Sequence, residues 1–366
     1  MRFALFGVAL CASTSAVAEL PAIALPPGFE LSVFADGVPN ARQLTRSPAG
    51  IVYAGSREDG MVHAVVDRDG DFVADAVIPI ARELDMPSGV AWHDGSLYVA
   101  EVSRILRYDD IDNRLDGPPA PVVVHDGLPR DRHHGWKFID FGPDGWLYVP
   151  VGAPCNVCVR EAPYATLQRM RPDGTGRETY AYGVRNSVGF AWRPGTDELW
   201  FTDNGRDMLG DDIPSCELNR VTAPGQHFGF PFIHAGEVPD PDYTAPPDAP
   251  PFVAPVAKLG PHVAPLGALF YTGTQFPDDY RGDLLVADDG SWNRSEPIGY
   301  RVVRIDIDEE GRDLGQQVFA SGWLDANGQV HGRPVDLELL PDGSVLLSDD
   351  DAGRIYRIRY TGGAHE

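Results

Sequence analysis

Phe141-Gly142-Pro143-Asp144-Gly145-Trp146-Leu147-Tyr148 joins an apolar residue to the start of an alternating strand through a Gly-Pro-Asp-Gly turn. The Asp-Gly pair supplies the positive φ that a tight hairpin needs, so residues 136–150 read as two antiparallel strands. The phrase returns at 43–54, at 89–100 around His93-Asp94-Gly95, and at 187–202 around Arg193-Pro194-Gly195. It is looser at 267–287 and clear again at 335–348 around Pro341-Asp342-Gly343. Each copy is followed by a further polar–apolar alternation, at Val62–Val66, 105–108, 167–170, 218–221, 300–307 and 354–358, which reads as a third strand. Fourth strands are less distinct. Copies recur every roughly 45 to 85 residues, the range of four-stranded blades carrying inserted loops. The expected fold is all-β: a six-bladed β-propeller of four-stranded antiparallel blades. A β-sandwich with similar hairpins is the alternative that six copies along the whole chain disfavour. The stretch at about 228–265, rich in Pro and Asp, reads as a long inserted loop or cap.

The first 18 residues resemble a cleaved secretory signal: Arg2, an apolar run over 3–12, then Ala16-Val17-Ala18 before Glu19. The expected domain is therefore a single propeller over 19–366, in a periplasmic or secreted protein. Leu10 is bulky where a lipoprotein signal wants a small residue, so lipidation at Cys11 is not expected. No later stretch is apolar for long enough to span a bilayer. The 366-residue chain carries a formal charge of −24, which argues against nucleic acid and anionic membrane surfaces as partners.

Cys155, Cys158 and Cys216 remain after the leader. Val159 follows Cys158, where a c-type haem site needs His. A local Cys155–Cys158 disulfide with Cys216 free is the expected state in an oxidising compartment. A bridge from Cys216 to one of the pair and a three-thiolate metal site are the alternatives.

A propeller brings the residues just before each innermost strand to one end of its channel. That rule selects Asn40 and Arg42, Pro87 and Ser88, His133 and His134, Arg185 and Asn186, His262, and Arg333. A basic ring on so acidic a chain implies an anionic ligand, and arginines suit a polycarboxylate. His134 is the natural proton acceptor in that ring. Separately, Asp67, Asp69, Asp71 and Asp75 alternate as in a calcium loop, though Gly70 and Phe72 depart from the EF-hand pattern. They read as a structural Ca²⁺ site or as a charged turn.

Residues 132–138, 141–148, 183–192, 200–206, 217–219 and 332–336 together resemble the glucose/sorbosone dehydrogenases, most closely their sorbosone-dehydrogenase-like branch. The likeness covers almost the whole chain after the leader. It implies pyrroloquinoline quinone (PQQ) and Ca²⁺ as cofactors. It also implies oxidation of an aldose or sugar-derived aldehyde, with electrons leaving to a separate acceptor. His134 then resembles the base, and Arg185, Asn186 and Arg333 the cofactor contacts. Gly205 and Arg206 fall where backbone carbonyls hold calcium, and His133, His262 and Trp136 are the candidates for the substrate side. Val335 stands where other members have a second arginine, and Leu84 near the place of a Gln. The fifth-blade lysine is missing, with Asn293 or Arg294 as stand-ins, and His133 replaces an acidic neighbour of the base. Two other classes remain in view: a metal-dependent lactone hydrolase, which the shortage of carboxylates in the ring disfavours, and a non-catalytic binding propeller.

Overall fold

The computed structural model describes residues 22–362; the stretch 1–18 expected to be a leader, and its expected cleavage site, lie outside them. Six four-stranded antiparallel sheets follow one another along the chain. Blade 1 comprises Ala41–Arg46, Val52–Ser56, Val62–Val66 and Ala76–Ala81. Blade 2 comprises Gly89–His93, Ser96–Ala100, Ile105–Asp109 and Val122–His125. Blade 3 comprises Asp140–Phe141, Leu147–Val151, Thr166–Met170 and Glu178–Tyr182. Blade 4 comprises Phe190–Trp192, Leu199–Asp203, Ser215–Val221 and Ala257–Pro261. Blade 5 comprises Pro265–Phe270, Leu284–Asp288, Arg301–Ile307 and Asp313–Ser321. In blade 6, Pro334–Leu339, Val345–Asp349 and Arg354–Tyr360 are completed by Phe29–Asp36 from the start of the described chain, which pairs antiparallel with Arg354–Tyr360. The propeller is thus closed by Phe29–Asp36 and Arg354–Tyr360, from opposite ends of the described residues, sharing one sheet.

Alternation does the packing. In blade 2, Leu97 and Val99 pack into a buried cluster with blade 1, while Tyr98 and Ala100 pack into another with blade 3. Every seam between neighbouring blades has such a cluster. Second strands are therefore buried on both faces, which explains the near-continuous apolar runs at Val52–Ser56 and Leu284–Asp288. In the His93-Asp94-Gly95 turn, Asp94 (φ 46°) and Gly95 (φ 80°) both take the left-handed conformation that matches hairpin twist.

The stretch 228–265 is more structured than its composition suggests. It contains a short hairpin, Ile233–His234 with Val238–Pro239, and its end supplies the outer strand of blade 4. Pro and Asp hid that strand because Ala257–Pro261 is short and ends on Gly260 and Pro261.

Two buried polar side chains stitch the centre. The Gln43 amide donates to Ile139 O at 2.7 Å and accepts from the Val90 and Ile139 N–H groups at 3.1 and 3.0 Å, which ties three blades. Asp336 Oδ2 accepts the Leu44 N–H at 2.8 Å across the closing seam. Burial pushes the Asp336 carboxyl up to about 7. Such a group contributes stability that is present below the ordinary carboxyl range and lost as pH rises through about 7. Asp336→Asn keeps an oxygen for Leu44 and carries no charge. Its melting temperature relative to wild type is expected to rise by a few degrees between about pH 5 and about pH 8. A difference that stays flat across a pH series of thermal melts would contradict this.

Candidate active site

A cavity of about 440 Å³ opens at one end of the channel, lined by Arg42, Arg57, Arg185 and Arg333 against Asp207 and Asp289. Four guanidinium groups facing two carboxylates leave the lining cationic on an acidic protein. His133, His134, Trp136, Asn186, Gly205 and His262 also line it, so the structure brings together most of the residues selected from sequence. Ser88 lies beside a much narrower recess that Arg42 shares, and the Asn40 amide donates to Asp350 O at 3.2 Å outside the cavity.

His134 carries the clearest chemistry. It is buried, and its Nδ1 lies 2.8 Å from Ala153 O. A carbonyl only accepts, so Nδ1 holds the proton and Nε2 keeps its lone pair. Burial, then Arg185 and His133, hold its pKa well below the usual imidazole value, so the ring is neutral. Its backbone is left-handed (φ 51°) and lies tightly on the second strand's end: a Cβ at Gly152 would sit 2.6 Å from the His134 Cβ.

Arg185 is held by its surroundings from every side. Its backbone N–H and that of Asn186 donate to the buried Asp203 carboxylate at 2.8 and 2.6 Å. Its guanidinium meets Asn156, Asn204 O and Asp207. Asp207 also lies 3.6 Å from His262 Nδ1, and His262 Nε2 donates to Gly210 O at 2.9 Å. Across the cavity, Arg333 pairs with Asp289 at 3.0 Å and stacks over Tyr300, while Arg42 pairs with Asp350 at 2.7 Å. Burial first, then Asp350, pushes Asp289 up to about 7.

Some sequence candidates sit elsewhere. Asn293 accepts the Met208 N–H at 2.9 Å and Arg294 pairs with Asp211 O and Asp212, so both tie two rim loops together outside the cavity lining. Their neighbour Trp292 lines the mouth instead and is 72% exposed. The Arg206 side chain turns into a buried pair with Asp240, which also holds His234 at 2.8 Å, so the inserted stretch braces the turn carrying Gly205. Val335 is buried with Val188 and Leu266 beneath the cavity, and Leu84 packs between blades 1 and 2. Cys155 and Cys158 form the local disulfide, and Cys216 is free and buried, with burial pushing its thiol up to about 11. That excludes the three-thiolate site and the Cys216 bridge. Carboxylate oxygens of Asp67, Asp69 and Asp71 lie within 4.8 Å of one another; Asp75 stays outside that group and accepts the Arg68 N–H at 2.7 Å. The same carboxylates accept backbone N–H groups of their own turn, from Gly70, Phe72 and Val73.

Arg57, Asp207 and Asp289 also line the cavity, beyond the reach of a rule that selects only the residues before each inner strand. The second strand of a blade returns to the same rim, so the residues just after it also face the funnel: Arg57 follows Val52–Ser56, and Asp289 follows Leu284–Asp288. Arg57 and Arg42 bring guanidinium groups from blade 1 to the cavity, where Val335 leaves Arg333 as the one lining arginine next to blade 6. The Nε atoms of both, and Asp289 Oδ2, are buried without a hydrogen-bond partner. Unpaired guanidinium donors around one cavity fit a ligand carrying several carboxylates.

Fold and site define a six-bladed propeller with a cationic cavity and a neutral histidine at the channel mouth. Residues 112–357 match the family described as Glucose / Sorbosone dehydrogenase, and the chain belongs to that family, one of PQQ sugar dehydrogenases. It is 31% identical over 349 residues to an uncharacterized protein of Borreliella burgdorferi, covering 92% of this chain and 90% of that one. Among solved structures it is similar to the calcium structure of a Trichoderma reesei enzyme of carbohydrate-active family AA12 (TM-score 0.77, 18% identity, 93% and 97% covered). It is also similar to the PQQ-bound aldose sugar dehydrogenase of Streptomyces coelicolor (TM-score 0.65, 21% identity, 92% and 99% covered). At those identities the likeness speaks for the fold. No helix among the described residues is long and apolar enough to cross a membrane.

Proposed function

We propose that the protein is an exported PQQ- and calcium-dependent dehydrogenase that oxidises an aldose or a sugar-derived aldehyde of the sorbosone kind, with His134 as base. The observation that carries this reading is the unprotonated Nε2 of His134 in a cavity lined by four arginines. PQQ is a tricarboxylate, and when bound it supplies the two-electron acceptor while calcium supplies Lewis acidity. Arg333, Arg42 and Arg57 are the carboxylate-binding side chains on this chain, with Arg185 and Asn186 opposite them. Gly205 offers the calcium-side backbone on the cavity wall, with Arg206 behind it. His134 Nε2 takes the proton of the substrate hydroxyl at the carbon being oxidised, and Nδ1 stays bound to Ala153 O throughout. His133, His262, Trp136 and the exposed Trp292 form the wall and mouth that meet the sugar. The reduced site then needs an external electron acceptor.

The test is to add PQQ and Ca²⁺ to purified protein, record the absorbance spectrum, and follow dye reduction with a panel of aldoses and sugar-derived aldehydes. An unchanged cofactor spectrum and no turnover across the panel would reject the reading. Turnover of lactones with Ca²⁺ and no quinone would replace it with hydrolysis. Arg57→Ala is expected to weaken PQQ binding about tenfold, the scale of one lost charge-assisted hydrogen bond. A fluorescence titration that finds equal affinity would remove Arg57 from the cofactor site.

A further inference from the structure

Residues 153–158 lie behind the cavity wall and bond several of the side chains that line it, among them His134, Arg185 and Asp207. Ala153 O holds His134 Nδ1, and the Ala153 N–H donates to Arg185 O at 2.8 Å. The Cys155 backbone bonds the His133 ring. Asn156 does most. Its backbone oxygen accepts from Arg185 Nε at 2.9 Å, and its Oδ1 accepts from Arg185 Nη2 and from the Asp207 N–H, both at 2.9 Å. Its Nδ2 donates to Asp207 O at 3.0 Å. With Asn204 O and Asp207 Oδ2 taking two further N–H groups, four of the five guanidinium donors of Arg185 are spent on protein. The Arg185 head therefore has one fixed orientation, with two of its four bonds ending on Asn156.

That asparagine lies inside the Cys155–Cys158 ring, whose cysteines are three residues apart. A ring so small joins no two blades and removes less chain entropy than a long loop would. What it does constrain is the backbone of Asn156, whose own oxygen is one of the Arg185 acceptors.

We propose that the Cys155–Cys158 ring is a clamp that orients Arg185 and Asp207, with Asn156 as the positioning residue. The proposal deepens the dehydrogenase reading and rests on it only for the cofactor arm of the test. Reduction by an external phosphine or dithiol, which supplies two electrons, breaks the S–S bond and leaves two thiols. This frees Asn156 and lets the guanidinium turn, so the cavity's cofactor affinity follows the redox state of this pair.

The first arm uses the full chain without cofactor. The Arg185 Nε–H signal, assigned by its loss in Arg185→Lys, is expected to be protected from exchange in the oxidised protein. It should exchange at least about tenfold faster after phosphine reduction and in Asn156→Ala. Asn156→Asp keeps the oxygen that accepts from Arg185 and is expected to restore protection. In the second arm, PQQ titration by tryptophan fluorescence is expected to show about tenfold weaker binding after reduction of wild type. Reduction should add nothing in Asn156→Ala. An Arg185 signal indifferent to both treatments overturns the clamp. So does a fall of the melting temperature by more than roughly 10 °C on reduction, which would make the ring a brace of the whole fold. Should Asn156→Ala fail to fold, reduction of wild type decides alone. A reduction-sensitive Arg185 in a protein that binds no PQQ would keep the clamp and reject the cofactor reading.

Discussion

His134→Ala is expected to lower turnover by about 10³-fold in protein reconstituted with PQQ and Ca²⁺, the scale of a lost general base. The argument is geometric first. Ala153 O fixes the Nδ1 proton, so Nε2 is the ring's accepting atom, and the Gly152 contact leaves the ring's backbone no freedom to retreat. His133 lies 4.1 Å away, ring to ring, and Arg185 takes no protons, so neither replaces the base in position. The left-handed backbone at position 134 penalises alanine as well, so His134→Asn, which tolerates that φ better, is the companion variant. Both should lose turnover, with PQQ affinity within about twofold of wild type. Turnover retained in either, measured by dye reduction under saturating sugar, would remove His134 from the chemistry. The depressed pKa adds a second signature. Burial and the neighbouring cations keep the ring deprotonated, so the acid limb of the rate profile should fall below the ordinary imidazole range. A limb near pH 6.5 would point to a different base.

A chain starting at Gly37 is expected to lose its folded state altogether, as judged by size-exclusion chromatography and denaturant titration. Phe29–Asp36 is the outer strand of blade 6, paired with Arg354–Tyr360 from Phe29↔Tyr360 to Asp36↔Arg354. Its removal opens the edge of that sheet and uncovers the seam between blades 5 and 6. Phe29 sits there against the rings of Phe276, Tyr280, Phe319 and Tyr360, at 4.7 to 5.2 Å between centroids. Phe29→Ala alone should cost about 3 to 5 kcal/mol. An exposed sheet edge beside uncovered aromatic surface also favours aggregation. A truncated chain that elutes as a monomer and melts with the full protein would mean that the remaining blades close without this strand.

Much of the blade architecture was legible because its signals are local. Asp94 and Gly95 make a turn by their own backbone preferences, and the alternation at 97–100 assigns each side chain to a face without knowledge of the neighbours. Fourth strands were harder, since they are the outermost and least buried. Val122 and Val123 are exposed, and the pattern at Asp313–Ser321 is mostly exposed too. Residues before the inner strands, such as His134 and Arg185, could be read from the repeat once the propeller was recognised.

The sequence by itself determined the repeat, the six hairpins and the histidine–arginine character of the channel mouth, while the pairing of Cys155 with Cys158 was one of three options until the structure decided it. Tertiary structure decided which of those groups meet. It placed Arg57 and Asp289 in the cavity, sent Asn293 and Arg294 to the rim, and wrapped Asn156 around Arg185. The reason is separation along the chain. Turns and strands depend on neighbours a few residues apart, whereas Arg42 meets Asp350 across 308 positions, and only the closed ring of blades brings such pairs together.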